Sequence, residues 1–175
     1  MRNAGVVTPR LMLRPFAMED APAVMRLSRE ETLRHRMPDQ VYETQEDARK
    51  MVSFLAGNVQ TDGFPFVLAV ALKETGELIG HIGLSPLNEG IEIGYAIAMA
   101  HQGRGYATEA VTAFSPWALQ RLSMEGILAV VEADNFGSRR VVEKAGYVFL
   151  EERTIKAFGR TALCRYYAYR REGGE

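Results

Sequence analysis

From Gly90 to Met99 the chain alternates, with Ile91, Ile93, Tyr95, Ile97 and Met99 on one side and Glu92, Gly94, Ala96 and Ala98 on the other. A period of two predicts a strand, one face turned to a core and the other small except for a single carboxylate. The pattern breaks at His101, Gln102, Gly103, Arg104 and Gly105, then resumes with helical composition at Tyr106, Ala107, Glu109, Ala110 and Val111. This central strand–turn–helix is preceded by Arg10 to Phe16, whose Leu11 and Leu13 alternate until Pro15 removes a ladder donor. Glu19, Asp20 and Pro22 suit a helix start, continued by Val24, Met25, Leu27 and Ser28. Charged residues from Arg29 to Tyr42, broken by Pro38 and Asp39, predict an irregular or short helical connection. Thr44 and Asp47 form the spacing of a capping box for a second helix with the stripe Ala48, Met51, Val52 and Leu55, ended by Gly57 and Asn58. Phe64 to Leu72 and Leu78 to Leu84, joined at Glu74, Thr75 and Gly76, read as a hairpin, and Asn88, Glu89 and Gly90 turn the chain into the central strand.

Beyond the third helix, where Pro116 predicts a kink or break, Ile127 to Glu132 reads as a buried strand. Asn135 can cap a helix carrying Val141, Val142 and Ala145, and Gly146 can end it in a left-handed conformation. The last hairpin pairs Val148 to Ile155 with Thr161 to Tyr169 around Phe158, Gly159 and Arg160. Hairpins in series are antiparallel, whereas strand–helix–strand crossovers demand parallel neighbours. The expected class is therefore α/β (α+β), with a mixed, mostly antiparallel sheet.

A helix start leaves about four N–H groups unpaired and carries roughly half a positive charge. Glycines let a phosphate approach such a turn, so Gln102 to Thr108 could hold a pyrophosphate. A dinucleotide fold would want G-x-G-x-x-G with an acid about twenty residues on, yet Thr108 stands at the third glycine. A P-loop would want a lysine that is absent there. A tight structural turn is the remaining alternative.

The run Gln102, Gly103, Arg104, Gly105, Tyr106, Ala107, Thr108, Glu109, Ala110 resembles the Q/R-x-x-G-x-G/A loop of the GCN5-related N-acetyltransferases (GNAT). Glu92, Ile93, Gly94 and Tyr95 resemble the E-I-G-Y strand of the RimJ/RimL-like branch, the ribosomal-protein N-terminal acetyltransferases. Asn135, Ser138, Glu143, Lys144, Gly146 and Tyr147 resemble its N-x-x-S…E-K-x-G-F/Y segment. The opening Thr8, Pro9, Arg10, Leu11, Leu13, Arg14, Pro15, Phe16 and Glu19, Asp20, Ala21 looks like its first strand and helix, so the likeness covers nearly the whole chain in order. It implies a seven-stranded sheet flanked by about four helices and acetyl-CoA as cosubstrate. The loop from Gln102 to Thr108 would take the pyrophosphate. Ile97, Ala98 and Met99, at the bulged end of the strand, would pair with the pantetheine arm, with Asn135 beside its amides. Among such relatives dimers are common.

With 175 residues, one domain is expected, residues 1–7 forming a loose leading segment. The 47% apolar and 25% charged content is that of a globular protein, and a formal charge of −1 offers no global field for nucleic acid or an anionic membrane. One cysteine, Cys164, permits no internal disulfide, and no membrane-length apolar run or secretion pattern is present, so a cytoplasmic location is expected.

Acetyl transfer to an amine needs a base for the nucleophile, an acid for the departing thiolate, and donors for the oxyanion, which N–H groups near a strand bulge could supply. Glu92 is the candidate base, through water, set against a solvated strand-end acid. Ser138 is the candidate acid, because related enzymes place a hydroxyl there; simple capping is its alternative. Tyr147 is the reserve acid, set against a core aromatic. Arg104 and Arg139 have the guanidinium geometry for phosphates. His35, His81 and His101 lack metal-ligand spacing, and no metal is expected. Cys164 reads as a buried thiol. The acceptor is an amine, on a protein N-terminus or a small molecule, selected by Arg29 to Tyr42 and the final hairpin. Thr161, Ala162 and Leu163 stand where ribosomal-type relatives often carry an acid, which keeps a small amine open. The alternative function is an acetyl-CoA-binding sensor without catalysis.

Overall fold

The computed structural model describes residues 4–36, 40–157 and 159–173; Pro38, Asp39 and Phe158 lie outside them. Along the chain come β1 (Val6–Val7), β2 (Leu11–Arg14), α1 (Ala21–Ser28), α2 (Glu31–Arg36), α3 (Gln45–Thr61), β3 (Phe66–Leu72), β4 (Leu78–Leu87) and β5 (Gly90–Ile97). They are followed by α4 (Tyr106–Arg121), β6 (Gly126–Glu132), α5 (Phe136–Lys144), β7 (Val148–Ala157) and β8 (Arg160–Arg170). One sheet carries all eight strands in the order β1-β2-β3-β4-β5-β6-β8-β7. Every neighbouring pair is antiparallel except β5 and β6. The mixed, mostly antiparallel class is as expected. The eighth strand is the short β1, within the segment expected to be loose, and the fifth helix is α2, within the charged connection.

The two faces of the sheet are covered by different helices. On one, α4 and α5 bury Val111, Phe114, Ala118 and Val142 against Ile93, Ile97 and Ile127. On the other, α1 and α3 bring Ala21, Ala48 and Val52 against Ala69 and Leu78. Thr44 caps α3 as its spacing predicts, its Oγ1 accepting from Asp47 N–H at 3.1 Å while Asp47 accepts from Thr44 N–H at 3.2 Å.

Two expectations about helix ends are corrected. Helix α3 does not stop at Gly57 and Asn58 but runs to Thr61, where Asp62 takes a left-handed φ of 54°. Asn58 turns its amide to donate to Pro65 O at 2.9 Å, outside the helix, and so does not compete with the helical backbone. Helix α4 runs through Pro116 without a break. Pro116 and Thr112, whose carbonyl loses its donor there, both lie on the exposed face, where water can replace the missing bond. Meanwhile Trp117 on the inner side packs on Phe66 and Phe114, each ring 6.0 Å away. Among the described residues no helix is long and apolar enough to cross a membrane.

Candidate active site

Strands β5 and β6 share a single registered rung, Glu92 opposite Leu128, and no further pairing toward their C-terminal ends. Beyond it a cleft of about 630 Å³ opens on the α4/α5 side. Its walls include Tyr95, Ala96 and Ile97 of β5, Gln102 to Thr108 except Arg104, and Asn135, Gly137, Ser138, Arg140, Val141 and Lys144 from the start and one face of α5. Parallel strands that stop pairing leave backbone groups pointing into the gap. Ala98 N–H donates to Ile79 O at 2.7 Å, so alternation along an antiparallel pair directs the N–H groups of Tyr95 and Ile97 away from β4 and toward the opening.

The cleft ends at the start of α4. Gly103 and Gly105 hold φ of 76° and 82°, a left-handed region that side chains rarely adopt. A Cβ at Gly103 would meet nothing within 4 Å, so backbone conformation and not space calls for glycine there. The first helical bond runs from Glu109 N–H to Gly105 O at 3.0 Å. Among the described residues, no acceptor in the chain pairs with the N–H groups of Gly103, Arg104, Gly105, Tyr106, Ala107 or Thr108. Donors left open at and just before a helix start suit a diphosphate. Arg10 pins this loop from outside: its Nε donates to Glu109 Oε2 at 2.7 Å, its Nη1 to Arg104 O at 2.9 Å, and its guanidinium lies 4.4 Å over the Tyr106 ring.

Residues 10–148 match the family described as "Acetyltransferase (GNAT) domain". The chain belongs to the GCN5-related N-acetyltransferases. It is an acyl-CoA-dependent N-acetyltransferase, and acetyl-CoA is the cosubstrate. The chain is 30% identical over 143 residues to the uncharacterized N-acetyltransferase YnaD of Bacillus subtilis (strain 168), covering 81% of each chain. To the ribosomal-protein-serine acetyltransferase of Escherichia coli (strain K12) it is 30% identical over 112 residues, 62% of this chain and 61% of that one. Its fold superposes on RimL, the ribosomal L7/L12 alpha-N-protein acetyltransferase solved with coenzyme A, with a TM-score of 0.77 at 20% identity, covering 95% of this chain and 96% of the other.

Within this GNAT site the residues anticipated from sequence divide. Gln102, Gly103, Gly105, Tyr106, Ala107, Thr108, Asn135, Ser138 and Ile97 line the cleft. Gln102 also turns its amide back to donate to Ile97 O at 2.9 Å. Met99 does not continue the strand: it starts a short 3₁₀ turn, Met99–His101, with its side chain half exposed. The expected bulge is absent from the β4–β5 pairing, which keeps its register from Gly80–Ile97 to Leu87–Gly90. The N–H groups of Ala98 and Met99 are already taken, the latter by Glu30 Oε2 at 2.8 Å. Glu30 thereby ties the α1–α2 junction to the end of β5, next to Thr32 and Leu33, which also line the cleft.

Neither expected arginine lines the cleft. Arg104 is exposed, and Arg139 donates to Ala133 O at 3.0 Å with its guanidinium 5.1 Å from the Phe136 ring. Gly137, Arg140, Val141 and Lys144 fall on one helical face, so the cations at the cleft are Lys144, which belongs to the quoted motif, and Arg140, which does not. Tyr147 is 3% exposed and shares a 2.8 Å hydrogen bond with the buried Ser115 hydroxyl, a core position rather than a cleft one. Burial pushes its phenol well above the usual range.

Tyr95 has the spacing of a core residue and is not a site candidate from sequence, yet its hydroxyl lies 2.6 Å from Ser138 Oγ across the cleft, and burial, against the Ser138 bond, pushes its phenol up to about 12. Asn135 caps α5, its Oδ1 accepting from Ser138 N–H at 3.2 Å. His101, read as an ordinary turn residue, also lines the cleft, its Nε2 3.4 Å from Glu77 and its Nδ1 buried without a partner. Cys164 is buried, and burial raises its thiol pKa. Among the described residues, no three His, Cys, Asp or Glu side chains gather as metal ligands.

Glu92 stands on the opposite face of the sheet, the α1/α3 side, in register with Ser85 and two residues before Gly94. It is half-buried, and desolvation raises its carboxyl pKa. Gly94, Gly83, His81 and Ser85 belong to a second cavity on that face, of about 280 Å³, roofed by α1 and α3. The two cavities meet the same strand, β5, from opposite sides, and Leu33 lines both.

Proposed function

We propose that the protein transfers acetyl to a primary amine by direct attack in a ternary complex, in the manner expected of a RimJ/RimL-like enzyme. The observation that carries this is the unpaired N–H row from Gly103 to Thr108 at the end of a cleft that opens where β5 leaves β6. These donors, with Arg140 and Lys144, are the groups suited to hold the diphosphate. Acetyl-CoA supplies a thioester carbonyl as electrophile.

Glu92, with its raised pKa, is the base that takes a proton from the amine through water. The amine nitrogen forms the C–N bond, the C–S bond breaks, and the sulfur leaves as the thiol with a proton from Ser138, whose hydroxyl, held by Tyr95, is restored from solvent as Glu92 returns to solvent the proton it took from the amine. The N–H groups of Tyr95 and Ile97, directed into the gap, take the oxyanion role expected of the bulge. The buried Cys164 thiol, kept protonated, favours direct attack over an acetyl-cysteine intermediate.

The test is thiol release from acetyl-CoA over a panel of N-terminal peptides, amino acids, polyamines and aminoglycosides, with Glu92→Gln in parallel. Release with at least one amine and its loss in Glu92→Gln, with coenzyme affinity kept, is expected. Tight acetyl-CoA binding with no release for any amine overturns the proposal in favour of a sensor.

A further inference from the structure

The second cavity has the character of a selective site, and its chemistry narrows the acceptor. Its floor is the small face of the sheet. Gly83 stands opposite Gly94, and His81 lies between Ala69 and Ala96 in register. Its roof is apolar: Val24 and Leu27 from α1 and Met51, Phe54 and Leu55 from α3. A Cβ at Gly83 would come within 2.6–2.8 Å of Phe66 O and the Val67 side chain and Cα, so the floor cannot be filled without moving β3.

Among the described lining residues none is a carboxylate, and His81 is the imidazole facing the space. Burial lowers its pKa to about 4, so near neutral pH it is an uncharged donor and acceptor. An ammonium group entering such a wall would lose water and find no counter-charge, whereas an alkyl or aromatic group would exchange water for Leu27, Met51 and Leu55. The volume, at the lower end of small-molecule sites, suits a body about the size of one amino-acid side chain.

We infer that the acceptor is a monoamine with a neutral, apolar body seated between the α1–α3 roof and the Gly83/Gly94 floor, and not a polyamine or aminoglycoside. This rests on the acetyl-transfer reading above. The amine nitrogen belongs at the β5 edge of the cavity, on the face that carries Glu92, and the body points toward His81 and Met51. His81 on the cavity wall, with the neutral Ser28, Gln40, Tyr42 and Ser85 elsewhere in the lining, is a polar group available to a carbonyl-side N–H or a hydroxyl on that body. An N-terminal residue with a large apolar side chain and an arylalkylamine both fit the description.

The inference is tested by thiol-release kinetics with 2-phenylethylamine, leucinamide, spermidine and kanamycin. A kcat/KM for the apolar monoamines at least about 10-fold above the two polycations is expected, since pockets discriminate on that scale. Equal or better turnover of spermidine or kanamycin overturns the inference while leaving acetyl transfer intact. Release with none of these four but with another amine of the wider panel overturns the inference alone, and release with no amine of that panel overturns both. Met51→Phe, which fills the roof, should raise KM for 2-phenylethylamine about 10-fold with the KM of acetyl-CoA unchanged, because the coenzyme cleft lies across the sheet. Leu27→Ala, which enlarges the space, provides the converse variant, its folding checked by thermal melting; it should favour bulkier amines. An unchanged amine KM in both variants also overturns the inference.

Discussion

The hydroxyls of Tyr95 and Ser138 lie 2.6 Å apart, joining β5 to the first turn of α5 across the cleft. With the phenol as donor to Ser138 Oγ, the serine proton would be left for the sulfur, and the phenol, raised to about 12 by burial, stays protonated at any working pH. Ser138→Ala should therefore lower kcat by about 100-fold, the scale of losing a positioned acid. Tyr95→Phe removes only the group that orients it and should cost about 10-fold in kcat, with the acetyl-CoA KM little changed. Steady-state kinetics on both variants check this; a Tyr95→Phe loss confined to KM would make the tyrosine a binding residue.

Glu92 provides a prediction in pH. Its carboxyl is raised by burial, so the acid limb of kcat/KM should lie above the ordinary glutamate value of about 4.3. Glu92→Gln should remove that limb and lower kcat/KM by about 100-fold. The stability effect has the opposite sign. A raised folded-state pKa contributes stability that is full below the unfolded pKa and is lost as pH rises through the folded one. Near pH 7 the glutamine variant should thus melt no lower than the parent, and a lower melting temperature would indicate a structural role.

The turn at Gly105 is tested by Gly105→Ala. Its φ of 82° imposes about 1–2 kcal/mol of strain on an alanine. Because the strain falls on the N–H row itself, the Kd of coenzyme A, read by calorimetry, should rise about 10-fold or more while amine KM changes less. Equal affinity would place the diphosphate elsewhere.

Glu109 accepts from Thr8 Oγ1 at 2.7 Å, from Arg10 N–H at 2.9 Å and from Arg10 Nε at 2.7 Å. Burial alone would raise its pKa, but these donors outweigh it and lower it. Stability from a lowered carboxylate is present above the unfolded pKa and lost as pH falls through the folded one. Glu109→Ala should cost about 1–3 kcal/mol at pH 7 by denaturant unfolding, and less in acid. It should also weaken coenzyme binding, since Arg10 would lose its anchor beside the loop. A pH-independent cost would assign it to packing.

Elements whose identity depends on neighbours in sequence were legible in advance. Thr44 with Asp47 announced α3, Asn135 announced α5, and the alternation from Ile91 to Ile97 announced β5, because capping and periodicity are local physics. The glycine turn and its flanks were enough to point to the family. What could not be read was where a side chain goes once two elements meet. Arg139 and Arg140 are adjacent, but only the packing of α5 on β6 sends one to Ala133 O and leaves the other at the cleft. Tyr95 has the spacing of a core residue, and its tip emerges in the cleft because β6 has already diverged. Pro116 is a breaker on average, yet tolerated where the orphaned carbonyl faces water.

The lone rung between Glu92 and Leu128 makes the sheet a pair of scissor blades riveted at one point. In the ternary complex proposed above, cofactor and nucleophile would enter from opposite covers of the same page, so neither would have to depart before the other arrives, and the acyl group would need only to pass through the notch between the blades.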